Sequence, residues 1–340
     1  MLPETARRLV GLGPLDVLLS DAAVTEVMVN GAGPVWIERA GVIEQTTVVL
    51  DMATVEHLLE QIIAPLGLRA DRTSPLVDAR LADGSRVNAA VPPIALDGPC
   101  LTIRRFAARA IALEAMCPPG VAELLAWAVR GRRNVVVSGG TGSGKTTMLN
   151  ALAAAIPESE RIVTVEDAAE LRLAARHVVR LEARPANADG LGAITLRALV
   201  RNALRMRPDR IIVGEARGPE ALDVLQAMNT GHEGSLSTCH ANSPTDALRR
   251  LETMVLMGDV ALPLVAVRDQ LAASIDLVVH VARTSEGRRQ VVAVAEVLDG
   301  WDGAGPRVRA LASSAGLHAL PERPGRTASP TAADAGWIAS

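Results

Sequence analysis

The sequence predicts an α/β fold, a parallel sheet covered by helices on both faces, preceded by a smaller α+β domain. Three observations lead to it. A glycine-rich run, Gly139 to Thr147, lies between a short apolar stretch (134–138) and an Ala-rich stretch of helical character (148–155). Further short runs rich in Val and Ile follow at 161–166 and 210–213 with helical segments between them, the pattern of strands buried on both faces of a parallel sheet. The chain has 340 residues, more than one typical domain, so a second core is expected.

Taken in order, residues 24–30 and 35–39 read as strands joined by the turn Gly31, Ala32, Gly33, Pro34, and 53–66 reads as a helix. Residues 76–81 and 85–91 bracket Ala82, Asp83 and Gly84 as a second hairpin, and 100–106 adds another strand. This predicts an N-terminal α+β domain over 1–106 with a largely antiparallel sheet. A connector is expected at 107–116. Pro118, Pro119 and Gly120 then open a helix that runs to Val129, and the second domain is placed at 117–300, closing with a hairpin of 277–282 and 290–297. Residues 301–340 turn to Gly, Ala, Pro and Ser and are expected to be disordered.

Composition excludes several classes. One Phe and four Trp are the whole aromatic content, which leaves no stacking platform for single-stranded nucleic acid, and a net charge of −3 attracts neither DNA nor anionic lipid. The cores must instead be built from Ala, Val, Leu and Ile. Cys100, Cys117 and Cys239 are odd in number and far apart, so neither a disulfide framework nor a CxxC metal site is written; buried thiols of a reducing compartment are expected. The chain opens without a signal-peptide apolar region and has no run of about 18 apolar residues, which predicts a cytoplasmic protein with at most a peripheral membrane role.

The glycine-rich run matches GxxxxGK[ST] at Gly139, Gly144, Lys145 and Thr146. In such a loop the backbone N–H groups of Gly139, Gly140, Thr141, Gly142, Ser143, Gly144 and Thr147 turn inward toward phosphate oxygens, and the helix that follows adds its positive end. Lys145 would reach the β and γ phosphates and the Thr146 hydroxyl would ligate Mg²⁺. Hydrolysis also needs a carboxylate to activate water. Glu215, closing the apolar run 211–213, is the expected base. Glu166 closes the preceding run and is expected to act on Mg²⁺ through water, supported by Asp167 or Glu170, with helix capping as the competing role of Asp167. His232 and His240 stand eight residues apart in a polar, glycine-bearing segment and fit a phosphate or water sensor; no metal-ligand spacing accompanies them. Arg197, Arg201 and Arg205 recur every four residues along one helix face, either a solvated face or an inter-subunit surface.

The order of these segments resembles the Walker A, Asp box, Walker B and His box of the type II/type IV secretion ATPases. The phrases 77–88 and 254–257 are similar to the branch of tight-adherence (Flp) pilus assembly motors of CpaF/TadA type. The resemblance covers about 14–298. It implies a RecA-like P-loop NTPase motor behind a PAS-like N-terminal domain, a homo-hexameric ring, ATP and Mg²⁺ as cofactors, and platform proteins at the cytoplasmic face of the inner membrane as partners. It further implies arginine fingers from the N-terminal domain, which map onto Arg86 and onto Arg104 or Arg105. Two departures stand out: Gly214 occupies the position where a general Walker B strand carries Asp, and the four-cysteine zinc module of some relatives is absent. The resemblance places the start of the sequence near the core N-terminal domain, so the extra N-terminal helical bundle of longer relatives is not expected. Competing expectations are a conjugative DNA-transfer or pilus-retraction motor and, in another class, a nucleotide-switched scaffold without productive turnover.

Overall fold

The computed structural model describes residues 11–39, 41–105, 111–118, 120–184, 186, 191–284, 287–303, 305–323 and 326. The chain divides into two compact units, Met1–Ala108 with Ala186–Ala193, and Arg109–Pro185 with Ile194–Ser340. The segment 186–193, which sequence order assigns to the second domain, therefore groups with the first. Of the expected connector, residues 107–110 lie outside the described residues.

The first unit starts with the short helix α1 (Asp16–Ser20) and then builds a six-stranded antiparallel sheet. Its strands are β1 (Val24–Asn30), β2 (Gly33–Arg39), β3 (Val42–Leu50), β4 (Leu76–Arg80), β5 (Arg86–Ala90) and β6 (Cys100–Arg104), in the order β3-β2-β1-β6-β5-β4. Strand β3 had no sequence counterpart, because Val42, Ile43 and Val49 are exposed and the strand shows no clean apolar-inward alternation. Helix α2 (Met52–Ile63) buries Val55, Leu58, Leu59, Ile62 and Ile63, a helical stripe that seals the unit's core. The Asp51 carboxylate caps it by accepting the Thr54 N–H at 2.8 Å.

In the second unit helices flank a nine-stranded sheet. The elements are α3 (Val121–Arg130), β7 (Val135–Gly139), α4 (Lys145–Ala153), β8 (Ile162–Glu166), β9 (Val178–Glu182), α5 (Leu196–Ala203), β10 (Arg210–Ala216), α6 (Ala221–Asn229), β11 (Leu236–His240), α7 (Pro244–Leu256), α8 (Leu264–Ser274), β12 (Leu277–Arg283), β13 (Arg289–Asp302), β14 (Gly305–Ser313) and β15 (Gly316–Leu317). The order is β15-β14-β13-β12-β7-β11-β10-β8-β9, parallel from β12 to β9 and antiparallel from β12 outward to β15. Successive side chains enter opposite cores. Val135 and Val137 pack with α3 and α4, whereas Val136 packs with α5 to α8. Because both faces are apolar, the strands read as continuous hydrophobic runs, which is why β7, β8 and β10 were legible in the sequence.

The expectation of a disordered segment over 301–340 is corrected. Residues 305–313 and 316–317 extend the sheet, and 322, 323 and 326 fasten onto buried anions. Glu296, fully buried on β13, accepts N–H bonds from Glu322 (3.0 Å) and Arg323 (2.8 Å). Asp276, 3 % exposed, accepts from Asn134 N at 2.8 Å and from Arg326 Nε at 2.6 Å. Arg323 donates to the carbonyls of Ala272, Ile275 and Val297 and pairs with Asp299. Low-complexity composition concealed this because the anchors are two isolated arginines. Residues 327–340 lie outside the described residues. A buried carboxylate that loses its cation is destabilising by roughly 3–5 kcal/mol. Removing 321–340 is therefore expected to lower the melting temperature of the purified protein measurably, and Arg326→Ala to reproduce part of the loss; melting curves identical to the intact chain would show that the strap is dispensable.

Candidate functional site

The parallel pairing of β7 with β11 sets Val135 opposite Leu236 and Gly139 opposite His240, so both strands end at the same edge. Strands β8 and β10 end there too, with Glu166 and Glu215. The loop 140–144 leaves β7 at this edge and delivers Lys145, Thr146 and Thr147 as the first three residues of α4. Lys145 Nζ donates to the carbonyls of Gly139 (3.2 Å) and Gly140 (2.9 Å) and lies 3.3 Å from His240 Nδ1. His240 is the bridge of the site: Nε2 stands 3.0 Å from Thr141 Oγ1, and Nδ1 stands 3.3 Å from Glu215 Oε1. Nδ1 thus faces a donor, Lys145, and an acceptor, Glu215, and its tautomer decides which of the two it serves.

Strand β10 carries a bulge. Val213 pairs with Ser237 and Ala216 with Cys239, so Gly214 and Glu215 together oppose Thr238. The Thr238 hydroxyl donates to the Gly214 carbonyl at 2.7 Å and holds the bulge. The Glu215 carboxylate is gripped by Arg217 through Nε (2.9 Å) and a terminal nitrogen (2.6 Å), both on Oε2. Burial works to raise its pKa, but Arg217, Lys145 and His240 outweigh it and hold the carboxyl below the ordinary range. Burial lowers the Lys145 pKa, with Glu215 opposing.

Glu166 is in the opposite situation. At 2 % exposure, burial pushes its carboxyl up to about 7, although Oε1 accepts the N–H groups of Glu170 (2.8 Å) and Leu171 (2.9 Å). Its Oε2 is buried without a hydrogen-bond partner. The Thr146 hydroxyl donates to Glu170 Oε2 at 3.2 Å, so Thr146, Glu170 and Glu166 form one connected group. Gly214 explains its own identity here: a Cβ on it would stand 2.9 Å from Glu166 Cγ, so the space that a Walker B Asp would fill is held by Glu166.

Several sequence expectations land elsewhere. His232 precedes β11 and therefore belongs to the N-terminal edge of the sheet, opposite the phosphate loop; its carbonyl accepts from Ser235 Oγ at 2.7 Å and its buried Nδ1 has no partner. Its pairing with His240 as a sensor is corrected, because a five-residue strand separates them by about 13–17 Å. Arg197 and Arg201 both grip the buried Asp223 of α6, at 2.8 and 2.6 Å, while Arg201 and Arg205 keep the exposed character of a solvated face. In the first unit Arg80, Arg86, Arg104, Glu26 and Glu38 are successive cross-strand partners, a row on one sheet face that is basic at one end and acidic at the other. Arg105 is spent inside that unit, donating to the carbonyls of Asp21 and Val24. Asp167 lies 3.9 Å from Arg217. Sequence reasoning missed Arg217, although its spacing of two from Glu215 was the available signal, and Thr238, which carried none.

Residues 8–309 match the family model described as type II/IV secretion system protein. The chain belongs to the type II/IV secretion system protein family. A putative conjugal transfer protein of Mycobacterium tuberculosis is 42% identical over 299 residues, covering 84% of each chain. The conjugal transfer protein TrbB of Rhizobium radiobacter is 37% identical over 81% of this chain and 84% of its own. The type IV secretion system protein PtlH of Bordetella pertussis is 38% identical over 81% and 90%. Among solved structures, the pilus retraction motor PilT with bound ADP aligns at TM-score 0.62 and 19% identity over 84% of this chain and 83% of its own. The Legionella pneumophila ATPase DotB aligns at 0.58 and 23% over 80% and 76%. At those identities the structures show a shared fold alone, a larger mixed α/β sheet domain that follows a smaller sheet domain in chain order.

A carboxyl whose folded pKa exceeds the unfolded value binds protons more tightly when folded, so its contribution favours folding at low pH and is lost as pH rises from 4.5 to about 7. Glu166→Gln imitates the protonated form. In nucleotide-free protein with EDTA, this variant is expected to melt higher relative to the parent at pH 8 than at pH 5; an equal difference at both pH values would contradict the raised pKa.

Proposed function

We propose that the protein is a Mg²⁺-dependent ATPase working as a ring of six copies, which powers pilus assembly or protein secretion from the cytoplasmic face of the inner membrane. The observation that carries this reading is the contact of His240 with Thr141 and Lys145 on one side and with Glu215 on the other. It ties a phosphate loop to a carboxylate in one site. Family membership supports it, as does the agreement in fold with motors of known structure.

The roles follow from the chemistry of each group. The N–H groups of the loop and the first turn of α4 bind phosphate, and Lys145 neutralises the charge that develops on the transferred group. Glu215, ionised through the neutral range, accepts a hydrogen bond from the attacking water and orients it in line. Arg217 keeps that carboxylate in place. His240 reports the phosphate state to Glu215, since moving either neighbour changes which partner Nδ1 serves. Among the described residues no three His, Cys, Asp or Glu side chains gather into a metal site. Mg²⁺ would accordingly be held by the Thr146 hydroxyl and the nucleotide's own phosphates, with Glu166 and Glu170 contacting it through water; the hard oxygen donors and the unpartnered Glu166 Oε2 fit such an ion. It would neutralise phosphate charge there.

Arg86 and Arg104 are proposed as the cations that reach the γ-phosphate within the assembled ring; their side-by-side place on one sheet face supports the pair, and the carbonyl contacts of Arg105 favour Arg104 over it. Inner-membrane platform proteins are the proposed partners. No described helix is long and apolar enough to cross a membrane. A second reading, a conjugative transfer motor, is favoured by the names of two relatives.

Lys145→Ala is expected to abolish measurable nucleotide binding, whereas Glu215→Gln retains binding and loses about 100-fold or more in turnover. ATP hydrolysis and equilibrium binding measured on both variants check this; near-parental turnover in Glu215→Gln would remove the water-orienting role.

A further inference from the structure

The start of α4 carries a second cation that the site as described does not use. Arg289, the first residue of β13, lies across the phosphate loop: a Cβ added to Gly144 would stand 2.8 Å from Arg289 Cδ and 3.3 Å from its Cβ and Cγ. Its guanidinium reaches Thr147 Oγ1 at 3.4 Å. Gly144, the N-cap of α4, has φ +98°, so glycine is required there both by backbone conformation and by the arginine stem above it.

A guanidinium in this place works against the helix. The first turn of α4 exposes unpaired N–H groups and the positive end of the helix dipole, where cations are unfavourable, and that turn contains Lys145 and no acidic residue. Two cationic side chains and a helix N-terminus converging on one loop favour a multiply charged anion there. This rests on the nucleotide reading of the loop given above, and it adds where on the nucleotide each cation falls.

Lys145, Thr146 and Thr147 are successive residues on a helix, turned about 100° from one another. Lys145 faces Gly139, Gly140 and His240; Thr146 faces Glu170; Thr147 faces Arg289. The phosphoryl group that reacts must lie on the side of Glu215, hence of Lys145 and His240. A polyphosphate laid over the loop then continues away from Glu215, toward the side that Arg289 covers. We propose that Arg289 is a nucleotide-binding residue that contacts the phosphates remaining with ADP, and that it sets affinity for ATP and ADP alike without entering the hydrolytic step. The start of β13, outside every motif of the sequence, thereby becomes part of the nucleotide site.

The test uses the full chain, with Arg289→Gln and Arg289→Lys beside the parent and Lys145→Ala; Arg289 is exposed, so the fold is not at stake. Titration with ATP and with ADP in the presence of Mg²⁺ is expected to show Arg289→Gln weakening both by about tenfold or more, Arg289→Lys recovering part of the loss, and turnover at saturating ATP staying within about twofold while KM rises. Unchanged affinity for both nucleotides would overturn the proposal. So would a loss confined to ATP, which places Arg289 on the transferred phosphate, or a fall in kcat with KM unchanged. Failure of the nucleotide reading itself looks different: the parent would bind neither nucleotide, and Lys145→Ala would change nothing.

Discussion

The in-register parallel pairing of β7 with β11 is the constraint on which the site depends. With His240 opposite Gly139, the phosphate loop and the histidine leave the sheet at one edge, and β8 and β10 bring Glu166 and Glu215 to the same edge. A slip of one residue in this pairing would move every inward side chain to the other core and part Thr141 from His240. Asn134 guards the register from below. Its side-chain carbonyl accepts from Gly234 (2.8 Å) and Ser235 (3.0 Å), and its amide donates to Met228 and Ser274 carbonyls, so the entries to β7 and β11 are tied by one fully buried residue.

From this edge the two carboxylates are driven apart electrostatically. Glu215 lies among Arg217, Lys145 and His240 and stays ionised; Glu166 is walled in by apolar burial and rises to about 7. Two carboxyls at one sheet edge are thereby separated into one held ionised by its cationic neighbours and one that burial raises to about 7. Gly214 makes the arrangement possible, since any side chain there would displace Glu166.

The opposite edge of the sheet is held by a different device. Asp276 and Glu296 are buried anions satisfied by the strap that follows β15, while Arg133, 1 % exposed, stacks on Trp127 with 4.7 Å between guanidinium carbon and ring. Buried charge of this kind contributes little net stability but is costly to leave uncompensated. One edge is therefore locked by charge pairs, and the other carries the contacts of His240 with Thr141, Lys145 and Glu215.

Where apolar runs carry the strands, as in 135–137, 162–165 and 211–213, the sequence by itself determined element, order and class, because burial on both faces leaves an unbroken hydrophobic signature. The phosphate loop and the end-of-strand carboxylates Glu166 and Glu215 were legible for the same reason. Strand β11 was not: Ser237 and Thr238 are polar yet 2 % exposed, and only their neighbours β7 and β10 make a strand of them. Tertiary structure likewise decided that His232 and His240 lie at opposite edges, that Arg197 and Arg201 share Asp223, and that residues beyond 301 join the sheet. Each of these depends on a partner distant in the chain, and spacing along the chain does not record which distant partner a side chain will meet.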